Sequence, residues 1–139
     1  MMTVHVTLFY AALLGLLLVI LSFNLMKNWV RASGAGTAHD DADLRRAEAL
    51  VSSFTDYVPF TLLLLALIES TGAPTGALHA LGTTLVVARI MHAFGSNHGY
   101  GADGLRFIGA QLTYLVLTIA SFACLYAYAM PQFMLKAHP

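Results

Sequence analysis

Long apolar stretches set the strongest limit on what this chain can fold into. They cover about residues 4–25, 50–68, 75–94 and 105–130 and consist mainly of Leu, Ala, Val, Ile, Phe and Thr. An α-helix rises about 1.5 Å per residue, so about 20 apolar residues cross the roughly 30 Å hydrocarbon core of a bilayer. Each stretch is long enough for this, and the sequence therefore predicts four membrane-spanning helices.

The composition agrees with a membrane location. Of the 139 residues, 58% are hydrophobic and 10% are charged, whereas about 25% of a soluble domain is charged. The mean hydropathy is +0.73. The net charge is zero, so charge does not indicate a nucleic-acid partner. The single cysteine, Cys124, excludes an intrachain disulfide framework.

The chain is expected to form one all-α domain over residues 1–139, an integral membrane four-helix bundle. Its helices are predicted over about residues 4–26, 44–69, 75–95 and 104–130. A short turn at residues 69–74 makes the second and third helices antiparallel neighbours. Residues 33–37, Ser-Gly-Ala-Gly-Thr, have the composition of a flexible linker. The acidic segment 39–43 is interpreted as a solvated loop, so no metal site is predicted.

The distribution of cations predicts the orientation of the helices. Most of the cations flank the loops after the first and third helices, and Lys136 lies on the opposite side. These flanking residues are Lys27, Arg31, Arg45, Arg46 and Arg106. Because loops rich in Lys and Arg stay in the cytoplasm, both termini are predicted to lie outside it.

One carboxylate interrupts the second apolar stretch. Asp56 lies about ten residues beyond Arg46, roughly 15 Å into the helix. A carboxylate there costs about 2.5–3.5 kcal/mol on insertion scales, so it normally faces a bundle interior and has a partner. Arg89 lies six residues before Gly95 on the neighbouring helix, at a depth that its side chain can bridge. We therefore predict that Asp56 and Arg89 form a pair inside the bundle.

Further polar side chains can line a pocket around this pair, open to the cytoplasm. They are Ser52, Ser53, Tyr57, His92, Arg106 and Gln111. Such a pocket, next to lipid, suits an anionic polar ligand beside an apolar one. Two alternatives remain open: the Asp56–Arg89 pair only holds two helices together, and His92 is an anchor at the membrane interface.

Three motifs, in order along the chain, carry a resemblance to a known family. Aligned on Pro59, residues 49–59, Ala-Leu-Val-Ser-Ser-Phe-Thr-Asp-Tyr-Val-Pro, correspond to the pattern Arg-x-x-x-Asn-x-x-Glu-Tyr-x-Pro in the second helix, with Tyr57 and Pro59 identical. Residues 88–95, Ala-Arg-Ile-Met-His-Ala-Phe-Gly, end the third helix, and residues 105–109, Leu-Arg-Phe-Ile-Gly, start the fourth. With these motifs the chain resembles the MAPEG family, membrane-associated proteins in eicosanoid and glutathione metabolism, over essentially its whole length.

The resemblance is to small bacterial members, and it implies a homotrimer in the cell (inner) membrane. It further implies that glutathione binds between subunits near the cytoplasmic side, and that the protein transfers glutathione to lipophilic small molecules or reduces peroxides. Arg106 corresponds to the residue that activates the glutathione thiol. The positions that correspond to glutathione contacts are Ser53, Asp56, Tyr57, Arg89 and His92.

The chain departs from the family pattern in the second helix. Ala49 stands where the family has an arginine, Ser53 where it has an asparagine, and Asp56 where it has a glutamate. A lost hydrogen bond to a charged group costs about 1.5–3 kcal/mol. The sequence therefore leaves a second function open, a non-catalytic membrane module that binds a lipid or a partner protein in the same groove. A third, a proton or ion pathway built on Asp56 and Arg89, has few polar positions to support it.

Overall fold

Four long helices make up the fold. The computed structural model describes residues 4–35, 37–97 and 103–137. In these ranges α1 covers His5–Ala35, α2 Ala38–Ser70, α3 Thr75–Asn97 and α4 Asp103–Ala137. Each contains a segment long and apolar enough to cross a membrane. The predicted all-α architecture with four spanning helices is confirmed.

The prediction of a flexible linker at residues 33–37 is wrong, because α1 continues through Ala35 and α2 starts at Ala38. Thr37 is the N-cap of α2, and its Oγ1 accepts a hydrogen bond from the Asp40 amide at 3.4 Å. In return, the Asp40 carboxylate accepts one from the Thr37 amide at 3.0 Å. This reciprocal cap satisfies two free amides at the helix start, which is why α2 begins six residues before the predicted start at residue 44.

The buried side of α2 organises the bundle. Its buried positions recur every three or four residues, which is the spacing of one helix face. They are Ala47, Leu50, Phe54, Val58, Thr61, Leu65 and Ile68. Leu50, Phe54 and Val58 pack in one cluster with Leu14 and Leu21 of α1, Leu85 of α3 and Val116 of α4. All four helices therefore share one core around α2.

Helices α3 and α4 approach each other most tightly at Gly109. A Cβ added there would lie 2.6 Å from the Ala88 carbonyl oxygen and 2.7 Å from the His92 amide nitrogen. Both neighbouring atoms belong to the backbone and cannot swing away. Only glycine allows this contact, which holds the end of α3, with Arg89 and His92, against the first turns of α4.

The opposite end of the bundle is fastened by Glu69, near the end of α2. Its two carboxylate oxygens accept hydrogen bonds from the backbone amides of Val6 and Thr7, each at 2.8 Å. These amides belong to the first turn of α1, where backbone donors have no intrahelical acceptor. The turn into α3 then passes through Gly72 at φ +83°, a left-handed conformation that favours glycine.

Polar side chains also meet between α1 and α3 at this end. The hydroxyl of Tyr10 lies 3.0 Å from His79 Nδ1 and 2.8 Å from Thr83 Oγ1. The ring of Tyr10 packs on Gly82, where any Cβ would overlap it. Tyr10 is buried, so this cluster satisfies its hydroxyl inside an otherwise apolar contact.

Candidate functional site

Arg89 is the charged side chain at the centre of the candidate site. It is only 4% exposed. Its Nη1 donates to the Ser53 carbonyl oxygen at 3.2 Å and to Ser53 Oγ at 3.3 Å. The guanidinium carbon lies 5.5 Å from the centroid of the Phe54 ring, within cation–π range. One turn of α2 therefore holds this arginine by its backbone, a hydroxyl and an aromatic face.

No carboxylate neutralises this cation among the side chains that the structure describes. The ion pairs in those ranges join His39 to Asp43 at 3.6 Å and Arg46 to Asp43 at 3.1 Å. The Nε of Arg89 is buried and has no hydrogen-bond partner there. A buried cation without a compensating charge carries a large desolvation penalty. Within the described residues, the charge of Arg89 therefore has no anionic partner.

The predicted pair of Asp56 and Arg89 is wrong for the single chain. Asp56 is exposed, and its Oδ2 accepts a hydrogen bond from Ser52 Oγ at 3.4 Å. The reason is helical geometry. Phe54 and Val58 face the core, and residue 56 is two positions from each, about 200° around the helix. The carboxylate therefore points away from the bundle that contains Arg89.

Tyr57 forms an aromatic pair with Tyr114 of α4. Their ring centroids are 5.3 Å apart at an interplanar angle of 84°, and their hydroxyl oxygens are 3.5 Å apart. The sequence predicted no function for Tyr114. Its depth was the available signal, because it lies about 12 Å beyond Arg106, comparable to the roughly 15 Å by which Asp56 lies beyond Arg46.

His92 lies at the close contact between α3 and α4, and Arg106 lies one turn before that contact on α4. His92 is half-buried, and its Nδ1 is buried without a hydrogen-bond partner in the described part of the chain. The backbone of His92 touches Gly109, three residues after Arg106. Arg106 itself is exposed in the first turn of α4. Gln111 lies in a shallow groove of about 480 Å³ that only α4 residues form, outside the arrangement around Arg89.

The structure thus brings some of the predicted residues together and separates others. Ser53 contacts Arg89, and Tyr57 contacts Tyr114, whereas Asp56 and Arg106 are presented on the surface of the chain. A buried cation without a carboxylate partner in the described ranges attracts anionic groups. An exposed carboxylate inside a spanning helix instead needs a ligand or a second chain to cover it.

The comparisons with known proteins give one family and one similar protein in two strains. The model of the MAPEG family matches residues 7–126. The chain is 29% identical over 89 residues to the inner membrane protein YecN of Escherichia coli strain K12, which covers 64% of this chain and 68% of that protein. It is equally similar to YecN of Escherichia coli O6:H1. No solved structure matches the chain significantly. With motifs, four spanning helices and family match in agreement, this chain belongs to the MAPEG family of membrane proteins.

Proposed function

We propose that this protein is a glutathione-dependent transferase or peroxidase of the inner membrane that acts on lipophilic substrates. The observation that carries the proposal is Arg89, a buried arginine with no carboxylate beside it in the described part of the chain. An enzyme that binds an anionic thiol peptide needs such a cation, because the ligand and not the protein supplies the compensating charge. The inner membrane location is proposed from the similarity to YecN.

The residues present fit the charges of glutathione, which has two carboxylates, one ammonium group and a thiol. The charge of Arg89 would attract an anionic end of the peptide, and the hydroxyls of Tyr57 and Tyr114 would hold it. The exposed carboxylate of Asp56 would hold the ammonium group. Arg106, exposed in the first turn of α4, would stabilise the sulfur as a thiolate. Bound glutathione supplies that thiolate, which is the nucleophile.

The proposed site is completed by a second copy of the chain. Asp56, Ser52 and Thr55 are exposed on the outer side of α2 within a candidate span. Polar side chains inside a bilayer normally face protein or a wet cavity rather than lipid. A homotrimer with α2 near its axis and the sites between subunits would cover them. The cation distribution supports a position of these sites near the cytoplasmic side.

The test is glutathione binding to the detergent-solubilised protein, with turnover measured in parallel. We expect saturable heat in titration calorimetry at millimolar glutathione, conjugation of chlorodinitrobenzene, and reduction of an organic hydroperoxide. Arg106→Ala should keep binding but lower turnover by about 10²-fold, as loss of one charge-stabilising donor does in other enzymes. Arg31→Ala, an equally exposed arginine near the end of α1, is the matched control and should leave turnover unchanged.

A second candidate function has its own observation. Ala49 is exposed where the family pattern has an arginine, and the Ser53 hydroxyl is already bonded to Arg89. Two of the groups that would recognise glutathione are therefore missing or occupied. If calorimetry and both activity assays give no signal at millimolar glutathione, the glutathione proposal is excluded. The non-catalytic module, which binds a lipid or a partner protein in the same groove, then accounts for the family membership.

A further inference from the structure

A large cleft lies at the end of the bundle that is remote from Arg89. It has a volume of about 940 Å³ and lies between α3 and α4, beside the turn that connects α2 to α3. Ile68 and Leu78, both buried, form its floor. Among the described residues that line it, only Thr71 and Tyr126 have a side-chain hydroxyl, and the Thr71 hydroxyl already donates to the Ile68 carbonyl at 2.7 Å.

Small side chains are the reason why the cleft stays open. Near the other end of the bundle, Gly109 brings the backbones of α3 and α4 into direct contact. At the cleft, the positions between the helices are Ala77, Ala123 and Ala127, whose methyl groups cannot fill the space. Helices α3 and α4 are thus in backbone contact at Gly109 and leave a cleft between them beside the α2–α3 turn.

The length of the cleft decides which occupant fits. Along α4 it extends from Ile119 to Met130, about 16 Å at 1.5 Å per residue. One leaflet contributes about half of the roughly 30 Å hydrocarbon core, so the cleft is one leaflet deep. A spanning helix of a partner would need a continuous surface twice as long, whereas a lipid acyl chain needs only this depth. Tyr126, which lines the cleft together with the α2–α3 turn, is 63% exposed. Tyrosines prefer the level of the lipid headgroups.

We propose that this cleft binds one acyl chain of a phospholipid from the leaflet in which the α2–α3 turn lies. The headgroup lies beside Thr71 and Tyr126, and the chain runs over Leu78 between α3 and α4 toward the middle of the membrane. This lipid is held by the protein rather than exchanging freely, because the cleft surrounds it on several sides. The site is separate from the arginine site and does not depend on glutathione binding.

The experiment uses the full chain in nanodiscs that contain phosphatidylethanolamine with a diazirine on one acyl chain. After irradiation, the labelled peptides are mapped by mass spectrometry. We expect labels on residues 73–81 and 119–130 to exceed those on the exposed face of α1, residues 13–26, by about tenfold, the ratio that roughly two buried methylene groups provide. Even labelling of all lipid-facing helices would overturn the proposal.

A cleft-filling variant gives the second arm. Ala77→Phe with Ala123→Phe should remove the excess labelling, while Ala12→Phe with Ala129→Phe, two exposed alanines outside the cleft lining, should keep it. Melting temperature and gel filtration establish that each variant is folded, and Ala127→Leu replaces the first pair if that pair does not fold. Unchanged labelling in a folded cleft-filling variant contradicts the proposal, as do photo-adducts that join two protein chains through the cleft. Equal labelling of the cleft by a diazirine-bearing free fatty acid, at the same mole fraction, contradicts the phospholipid as its source.

Discussion

At the scale of single residues, the chemistry depends on how Arg89 is held. Its two hydrogen bonds go to a backbone carbonyl and a hydroxyl of the same residue, Ser53. Neither group carries a formal charge, so neither neutralises the guanidinium. A carboxylate partner would have neutralised the cation and left little attraction for an anionic ligand. The neutral support by Ser53 is what leaves Arg89 available for binding.

This arrangement predicts which residues are energetically coupled to Arg89. In a double-mutant cycle on the melting of the detergent-solubilised protein, Arg89→Leu and Asp56→Ala should be additive within about 0.5 kcal/mol, because the two side chains share no contact. Arg89→Leu and Ser53→Ala should couple by about 0.5–1.5 kcal/mol, the value of one hydrogen bond. A coupling of several kcal/mol between positions 56 and 89 would show that they pair after all, within or between chains.

At the scale of the helices, the contact of α3 with α4 is the element that positions the site. Gly109→Ala introduces a Cβ within 2.7 Å of two backbone atoms of α3. The helices must separate there, and overpacking of this kind costs about 1–3 kcal/mol. Gly104→Ala is the matched control on the same helix, because nothing lies within 4 Å of its added Cβ. That control should be neutral or raise the melting temperature slightly, since alanine favours a helix by roughly 0.5–1 kcal/mol over glycine.

The fastening of α1 by Glu69 gives a second prediction at this scale. Glu69→Ala leaves the amides of Val6 and Thr7 without their acceptor and should lower stability by about 1–2 kcal/mol, as the loss of a helix cap does. Glu69→Gln keeps one oxygen acceptor and should lose about half as much. Ser70→Ala, whose hydroxyl bonds only to the Leu67 carbonyl of its own helix, is the control. Hydrogen exchange at residues 6 and 7 should rise in both Glu69 variants and stay unchanged in the control.

The helices also show what could be predicted from the sequence. Apolar length gave the number of spans, because a bilayer requires a minimum length of helix whatever its neighbours are. The pairing of Asp56 failed because depth was compared without the direction of the side chain. The spacing of Leu50, Phe54 and Val58 already placed residue 56 on the opposite face of α2. The hydrogen bond from Arg89 to the Ser53 carbonyl could not be predicted. Every residue has a backbone carbonyl, and the sequence does not show which one accepts a hydrogen bond from a side chain.

At the scale of the whole molecule, the distribution of charge predicts the orientation in the membrane. The cations near the ends of α1 and α3 and the starts of α2 and α4 lie on one side. That side should be cytoplasmic because Lys and Arg resist translocation. A reporter that is active only in the cytoplasm should therefore be inactive when it is fused after residue 139, and active when the chain is cut and fused at residue 34. Activity of the fusion at residue 139 would reverse the proposed orientation.

The outer face of α2 makes the last prediction, which concerns assembly. Ser52, Thr55 and Asp56 are exposed in the single chain inside a candidate span, and lipid gives a carboxylate no hydrogen-bond donor. Copies of the chain that pack through α2 would cover this face, so native mass measurement in mild detergent should give three times the 14.9 kDa of one chain. Asp56→Arg puts a much larger charged side chain into the packed α2 face of every copy and should shift the protein to monomers, because a close helix contact has no room for it. Phe23→Arg, on an exposed face of α1, is the control for a charge facing lipid and should keep the trimer. A wild-type protein that remains a monomer would leave Asp56 uncovered and would exclude any site that needs two subunits.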